Sequence, residues 1–293
     1  MPRAPLPWHF FVLRHIILKI FLTKVRNIPV WKYMKLCFVI FLLLLCMSSA
    51  LWAERQQSYA QKYIKSYPES IGKAVSAPLS WDGEGWLTAG ALVLSAGTIY
   101  LADEEINDFV QRKRSDFSET IMTGAKQFGE GKYVLPALGA TILGAYILDS
   151  EKSMDTGLLS LKSFILANGV TLTLKTVSQR RRPSADRGKE FFAGSGFDRK
   201  RDSFPSGHST IVWSIAPILA EQYRDKIWVA PAAYSIATLT SISRVHDNNH
   251  WASDAFVGAV IGYVSARLVL GSTPRLQLLP NPELAGVNMY LLF

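Results

Sequence analysis

From Trp86 onward the chain is a succession of helix-length apolar stretches. They are Trp86–Ala102, Tyr133–Leu148, Leu158–Val177, Ser209–Tyr223, Ile227–Ser243 and Ala252–Leu270. No strand-like alternation of any length appears before residue 275. Two charged, helix-compatible stretches, Asp103–Arg114 and Asp116–Phe128, lie between the first two. Such a chain buries its apolar faces by packing helix on helix, so the expected class is all-α, a bundle of about six core helices. A membrane span needs about 20 mostly apolar residues. The stretches are rich in Ala, Gly, Ser and Thr, and Lys162, Lys175, Glu221 and Arg267 interrupt or end them. They suit helices buried in a compact bundle, and equally short spans packed through small residues. The expectation is a membrane-associated bundle rather than six clean spans.

The chain has 293 residues, 49% of them hydrophobic, which suits one sizeable domain with tails. Its net charge of +9 is unevenly placed. Residues 1–53 hold seven cations (Arg3, Arg14, Lys19, Lys24, Arg26, Lys32 and Lys35) and no acid. The remaining 25 Lys and Arg against 23 Asp and Glu leave +2 for the body, which argues against a nucleic-acid surface. Both cysteines, Cys37 and Cys46, also fall in that leader. The body therefore has no disulfide or thiolate metal site and tolerates an oxidising compartment.

Met34-Lys35, the apolar run Leu36–Met47 and the small residues Ser48-Ser49-Ala50 read as a signal peptide over 34–53, cleaved after Ala50 or Ala53. Residues 1–33 are then either an overlong start, with Met34 the initiator, or part of an uncleaved anchor. Residues 54–85 read as an irregular segment with one short helix, 86–271 as the helical domain, and 272–293 as a tail. In the tail Arg275–Leu279 and Val287–Phe293 are short strand candidates. Two strands close no barrel, so a tail docked on the body is the expectation.

Three polar runs interrupt the second half of the domain. Lys175 precedes Arg182-Pro183 by two helical turns, so a continuous helix would put both cations on one side, with Pro183 ending it. Arginine offers paired donors to an oxyanion and lysine a point charge. The run Arg180-Arg181-Arg182 reads otherwise as a solvated basic helix end. Pro205-Ser206-Gly207-His208 opens an apolar helix. Ser206 suits the N-cap, Gly207 permits close backbone approach, and the helix terminus favours an anion. His208 is placed to protonate a leaving oxygen, although an ordinary capped helix start has the same residues. Ser243-Arg244 leads to His250 and Asp254, four apart and hence on one helical face. A carboxylate on one ring nitrogen would leave the other free to attack. The alternatives are a structural His–Asp pair or a metal site, and a metal site needs more ligands than lie nearby. His246 reads as local polar packing.

These runs resemble, at every fixed position and in order, the signature of the type-2 phosphatidic acid phosphatase superfamily. That superfamily also holds bacterial class A acid phosphatases and vanadium haloperoxidases. The resemblance covers roughly Leu158 to Leu270. It implies a helical bundle with a phosphate site at one end. It implies His250 as nucleophile forming a phosphohistidine, Asp254 orienting it, and His208 as general acid. Lys175, Arg182, Ser206, Gly207 and Arg244 would hold the phosphoryl oxygens, with no metal and no cofactor. The implied activity is hydrolysis of phosphate monoesters or diphosphates, with phosphorylated lipids or small phosphate esters as substrates. The expected location is the periplasmic side of a bacterial cell envelope. A soluble periplasmic acid phosphatase is the near alternative, and a vanadium-dependent haloperoxidase the more distant one.

Overall fold

A computed structural model describes residues 63, 66–68, 71, 72, 76–185, 188–196 and 202–271, and the backbone of 275–281 and 286–292. The expected signal peptide over 34–53, the leader 1–33 and both cysteines lie outside the described residues. The chain divides into two units, 1–64 and 65–293, and every element named below belongs to the second.

A short 3₁₀ turn, Ala77–Ser80, leads into eight helices. They are α1 (Gly83–Leu101), α2 (Asp103–Arg112), α3 (Asp116–Gln127), α4 (Gly131–Ile147), α5 (Glu151–Ser178), α6 (Gly207–Gln222), α7 (Val229–His246) and α8 (Ala252–Val269). The six apolar stretches and both charged stretches are thus helices, and the class is all-α as expected. The tail forms an antiparallel ribbon of β1 (Arg275–Asn281) and β2 (Gly286–Leu292), with Gln277 opposite Tyr290.

Local chemistry sets the boundaries. Asp82 caps α1 by accepting from Gly85 N at 2.9 Å, and Ser115 and Ser118 form a reciprocal capping box on α3. α5 ends where Gln179 turns left-handed (φ 45°) while its N–H still reaches Lys175 O at 3.1 Å. The helix therefore stops before Arg182, not at Pro183. Lys175 sits in its last turn and Arg182 in the following loop.

α6 is the centre of the bundle, packed against α5, α7 and α8. Glycines on α8 make the closest approach. A Cβ on Gly258 would strike Ser206 O, and one on Gly262 would strike Thr210 O. The interior is built from small and hydroxylated side chains: Ser163, Ala167, Thr210, Ser214 and Thr240 are all fully buried. The threonine hydroxyls bond within the bundle, Thr171 to Thr210 at 3.0 Å and Thr240 to Ala125 O at 2.8 Å. The large apolar side chains point outward instead, with Leu94 72%, Leu148 77% and Leu172 62% exposed. Water would oppose that distribution, whereas lipid favours it. Among the described residues two helices, α5 and α8, are long and apolar enough to cross a membrane, and α1 with α2, bent by 58°, counts as a third where the pair is one span. Lys162, within α5, is buried, and its ammonium donates to Ser66 O at 3.0 Å and Ser66 Oγ at 2.7 Å.

Candidate active site

The site gathers at the N-terminal end of α6, where the α5–α6 loop, the end of α7 and the start of α8 meet. Ser206 takes the N-cap position with extended backbone, and Gly207 opens the helix. Ser206 N donates to Asp254 O at 2.9 Å, which ties this turn to α8. The side chain does not cap. Ser206 Oγ is buried and finds no hydrogen-bond partner among the described residues. A buried hydroxyl without a partner is costly unless a ligand completes it. Lys175 lies over the same turn, its Cε 3.9 Å from where a Cβ on Gly207 would be.

His250 lies in the turn before α8, not on the helix, and its ring is almost wholly buried. Its Nδ1 is 2.6 Å from Ser203 O. A carbonyl only accepts, so Nδ1 carries the proton and Nε2 keeps its lone pair. Burial first, and then the charges of Lys175, Arg182 and Arg244, hold the imidazole well below its usual pKa. It is therefore neutral at pH 7, and those three cations converge on it. The direct His–Asp hydrogen bond expected from the spacing is not made: Asp254 Oδ2 stands 4.0 Å from Nδ1. Because α8 begins two residues after His250, the pair does not share a helical face. Asp254 instead accepts from Ser203 Oγ and from Trp251 N, the latter at 3.0 Å. Its hold on the imidazole passes through Ser203.

The phosphate-binding candidates carry loose partners. Arg182 reaches Asp202 Oδ1 through Nε (3.0 Å) and Nη2 (2.7 Å), and Asn249 Oδ1 through Nη1 (3.0 Å). Lys175 donates to the Asp202 carbonyl. Arg244 pairs with Asp247 at 2.9 Å, while its buried Nε has no partner among the described residues. His208 Nε2 lies 3.3 Å from Glu130 Oε2. Burial, then the Arg244 charge, push His208 down to about 4, and Glu130 works the other way. The α3–α4 loop is built onto this histidine. A Cβ on Gly129 would come within 2.8 Å of His208 Cβ and 2.9 Å of Thr240 Cγ2. His246 faces away, with Nε2 3.0 Å from Ser118 Oγ, and fastens α3 to α7.

Sequence reasoning missed Glu130, Asp202, Ser203 and, above all, Arg180. The first residue of the basic run is not solvated. Arg180 is 1% exposed and ion-paired to Asp254 Oδ1 at 2.6 Å and Asp103 Oδ2 at 2.9 Å. No signal in the sequence marks Asp103 as its partner.

The PAP2 superfamily model matches residues 156–277, a segment that holds all eight expected site residues. The second half of the chain is thus similar to the PAP2 superfamily. The chain is 37% identical over 68 residues to a lipid A 1-phosphatase from Porphyromonas gingivalis. That stretch is 23% of the chain and spans only 15% of the relative's length. It is 26% identical over 197 residues to phosphatidylglycerophosphatase B from Bacillus subtilis, covering 64% of the chain and 91% of the relative. The fold is similar to the crystal structure of a transmembrane PAP2-type phosphatidylglycerolphosphate phosphatase from Bacillus subtilis. That likeness has a TM-score of 0.50 at 28% identity, over 65% of this chain and 96% of that one. Glu130 and Asp103 lie outside the matched PAP2 segment.

Proposed function

We propose that this chain is a membrane-embedded phosphatase of the PAP2 type that removes phosphate from a lipid by way of a phosphohistidine at His250. One observation carries the reading. A neutral imidazole with its free Nε2 stands beside Lys175, Arg182 and Arg244, at a helix N-terminus with an unpartnered Ser206 hydroxyl. That set attracts a tetrahedral oxyanion and presents a nucleophile to it.

The steps follow from the geometry. The phosphoryl oxygens take the donors of Lys175, Arg182 and Arg244, the Ser206 hydroxyl and the Gly207 amide, displacing part of the Asp202 and Asn249 contacts. The Nε2 lone pair attacks phosphorus, and the bond from phosphorus to the ester oxygen breaks. His208, protonated once the anion offsets Arg244, gives its proton to the departing oxygen. Neutral His208 then takes a proton from water, whose oxygen attacks phosphorus. The P–N bond breaks, and phosphate leaves with both imidazoles restored. The guanidinium and ammonium groups stabilise charge gathering on the equatorial oxygens.

The lipid reading rests on the outward-facing Leu94, Leu148 and Leu172, on the two span-length helices, and on the lipid phosphatases that the chain resembles. A soluble acid phosphatase would leave those side chains in water. The signal peptide expected over 34–53 supports a periplasmic location. The test is phosphate release by the full chain in detergent, on phosphatidylglycerophosphate in mixed micelles and on a soluble aryl phosphate. Preference for the lipid, lost in His250→Asn, is expected. Equal turnover of both substrates would overturn the lipid reading, and an active His250→Asn would overturn the mechanism.

A further inference from the structure

We infer that Arg180 and Asp103 are positioning residues for the reaction, forming a buried clamp that sets the place and charge of the His250 imidazole. The inference rests on the reading of His250 as the nucleophile.

Arg180 commits nearly every donor it has. Nε gives to Lys189 O at 3.0 Å, Nη1 to Ser253 Oγ at 2.8 Å and Asp254 Oδ1 at 2.6 Å, and Nη2 to Asp103 Oδ2 at 2.9 Å. Three rings enclose its guanidinium, Tyr100 at 4.9 Å, Phe192 at 5.3 Å and Trp251 at 5.5 Å from the central carbon. Asp103 is fully buried at the α1–α2 bend and accepts from Ser253 N at 2.9 Å and from Ser253 Oγ. The clamp thus joins the α1–α2 bend, the end of α5 and the first turn of α8.

From the clamp the path to the nucleophile is a set of direct bonds, all on Ser203. Its N–H donates to Arg180 O at 3.0 Å, its hydroxyl donates to Asp254 Oδ2, and its carbonyl accepts from His250 Nδ1 at 2.6 Å. Ser203 is fully buried and held at each polar atom. The carbonyl that selects the His250 tautomer is therefore placed by Arg180 twice, through its own backbone and through Asp254.

The charges matter as well. Two buried carboxylates around one guanidinium leave an excess of one negative charge behind the imidazole. Attack by Nε2 with Nδ1 protonated makes the ring cationic. A fixed negative excess, out of water, stabilises that cation more than the neutral ring. Asp103, which touches neither His250 nor any phosphate-binding residue, supplies half of the carboxylate charge.

The test uses the full chain in detergent with phosphatidylglycerophosphate, and compares Asp103→Asn, Arg180→Gln, Arg180→Lys and Ser203→Ala with His250→Asn. Inhibition by inorganic phosphate reports the phosphate cradle separately from the chemistry. The expected result is a kcat lower by about 10- to 100-fold in Asp103→Asn and Arg180→Gln, a scale set by loss of positioning remote from the reacting atoms. KM and phosphate inhibition stay as in the unmodified chain, and Arg180→Lys recovers part of the loss. Should the Arg180 variants fail to fold, Asp103→Asn and Ser203→Ala, which keep volume and the guanidinium, decide the matter. Unchanged kcat in folded Asp103→Asn and Ser203→Ala, or kcat and phosphate inhibition falling together, overturns the clamp. An active His250→Asn would instead remove the reading beneath it.

Discussion

Arg182 and Arg180 are two residues apart in one loop and live in opposite regimes. Arg182, in the layer that faces a phosphate, is part-exposed and shares its donors between one carboxylate oxygen and one amide. Beside it Arg244 keeps a buried Nε unpaired, and Ser206 an unpaired hydroxyl. Arg180, in the layer behind, is sealed from water, ion-paired twice and ringed by aromatics. The front layer is under-satisfied and gains when an oxyanion arrives. The rear layer is saturated and has nothing to offer a ligand, so it serves as a fixed frame. Binding and positioning are divided between neighbouring residues of the same type.

The comparison breaks most sharply at the nucleophile. His250→Asn is expected to lower phosphate release by about ten-thousand-fold, read as steady-state turnover in micelles, while its amide still reaches the Ser203 carbonyl. In the rear layer, Arg180→Met leaves two buried carboxylates without their cation. It is expected to cost about 3–5 kcal/mol of stability, read by denaturant melts in detergent. In the front layer the effects are reversed in kind. Arg244→Ala is expected to lower kcat/KM by about 10²- to 10³-fold, with a smaller loss of stability than Arg180→Met, because Arg244 has one ion pair, to Asp247, and an unpartnered Nε.

Acid sharpens the contrast further. His208 has a folded-state pKa of about 4 against 6.5 for the free side chain. Its depressed pKa contributes stability that is present above pH 6.5 and lost as pH falls towards 4. Melts of the substrate-free chain between these limits are expected to fall less steeply in His208→Gln. The smallest effect belongs to His246→Ala. It loses a bond that holds α3, so about 1 kcal/mol of stability goes, and kcat on the lipid is unchanged.

The helices were legible because helix-length apolar stretches without strand-like alternation leave few other folds. The three polar runs were legible because cations, imidazoles and a Pro-Ser-Gly turn are rare inside apolar sequence. What stayed hidden depends on tertiary contact. Nothing local tells Arg180 from Arg181 and Arg182; only the approach of the α1–α2 bend buries one and leaves another half in water. The His250–Asp254 spacing suggested a direct bond, and the start of α8 at Ala252 replaced it with one relayed through Ser203. The left-handed Gln179 likewise ended α5 before Arg182, where Pro183 had seemed the natural stop.

The central claim, covalent catalysis by His250, is tested most directly by rapid acid-free quenching of the full chain during turnover of a lipid bearing radiolabelled phosphate. The account predicts protein-bound label that is stable to alkali and lost in acid, present in the unmodified chain and absent in His250→Asn. Turnover without protein-bound label, or the same label in His250→Asn, would contradict it.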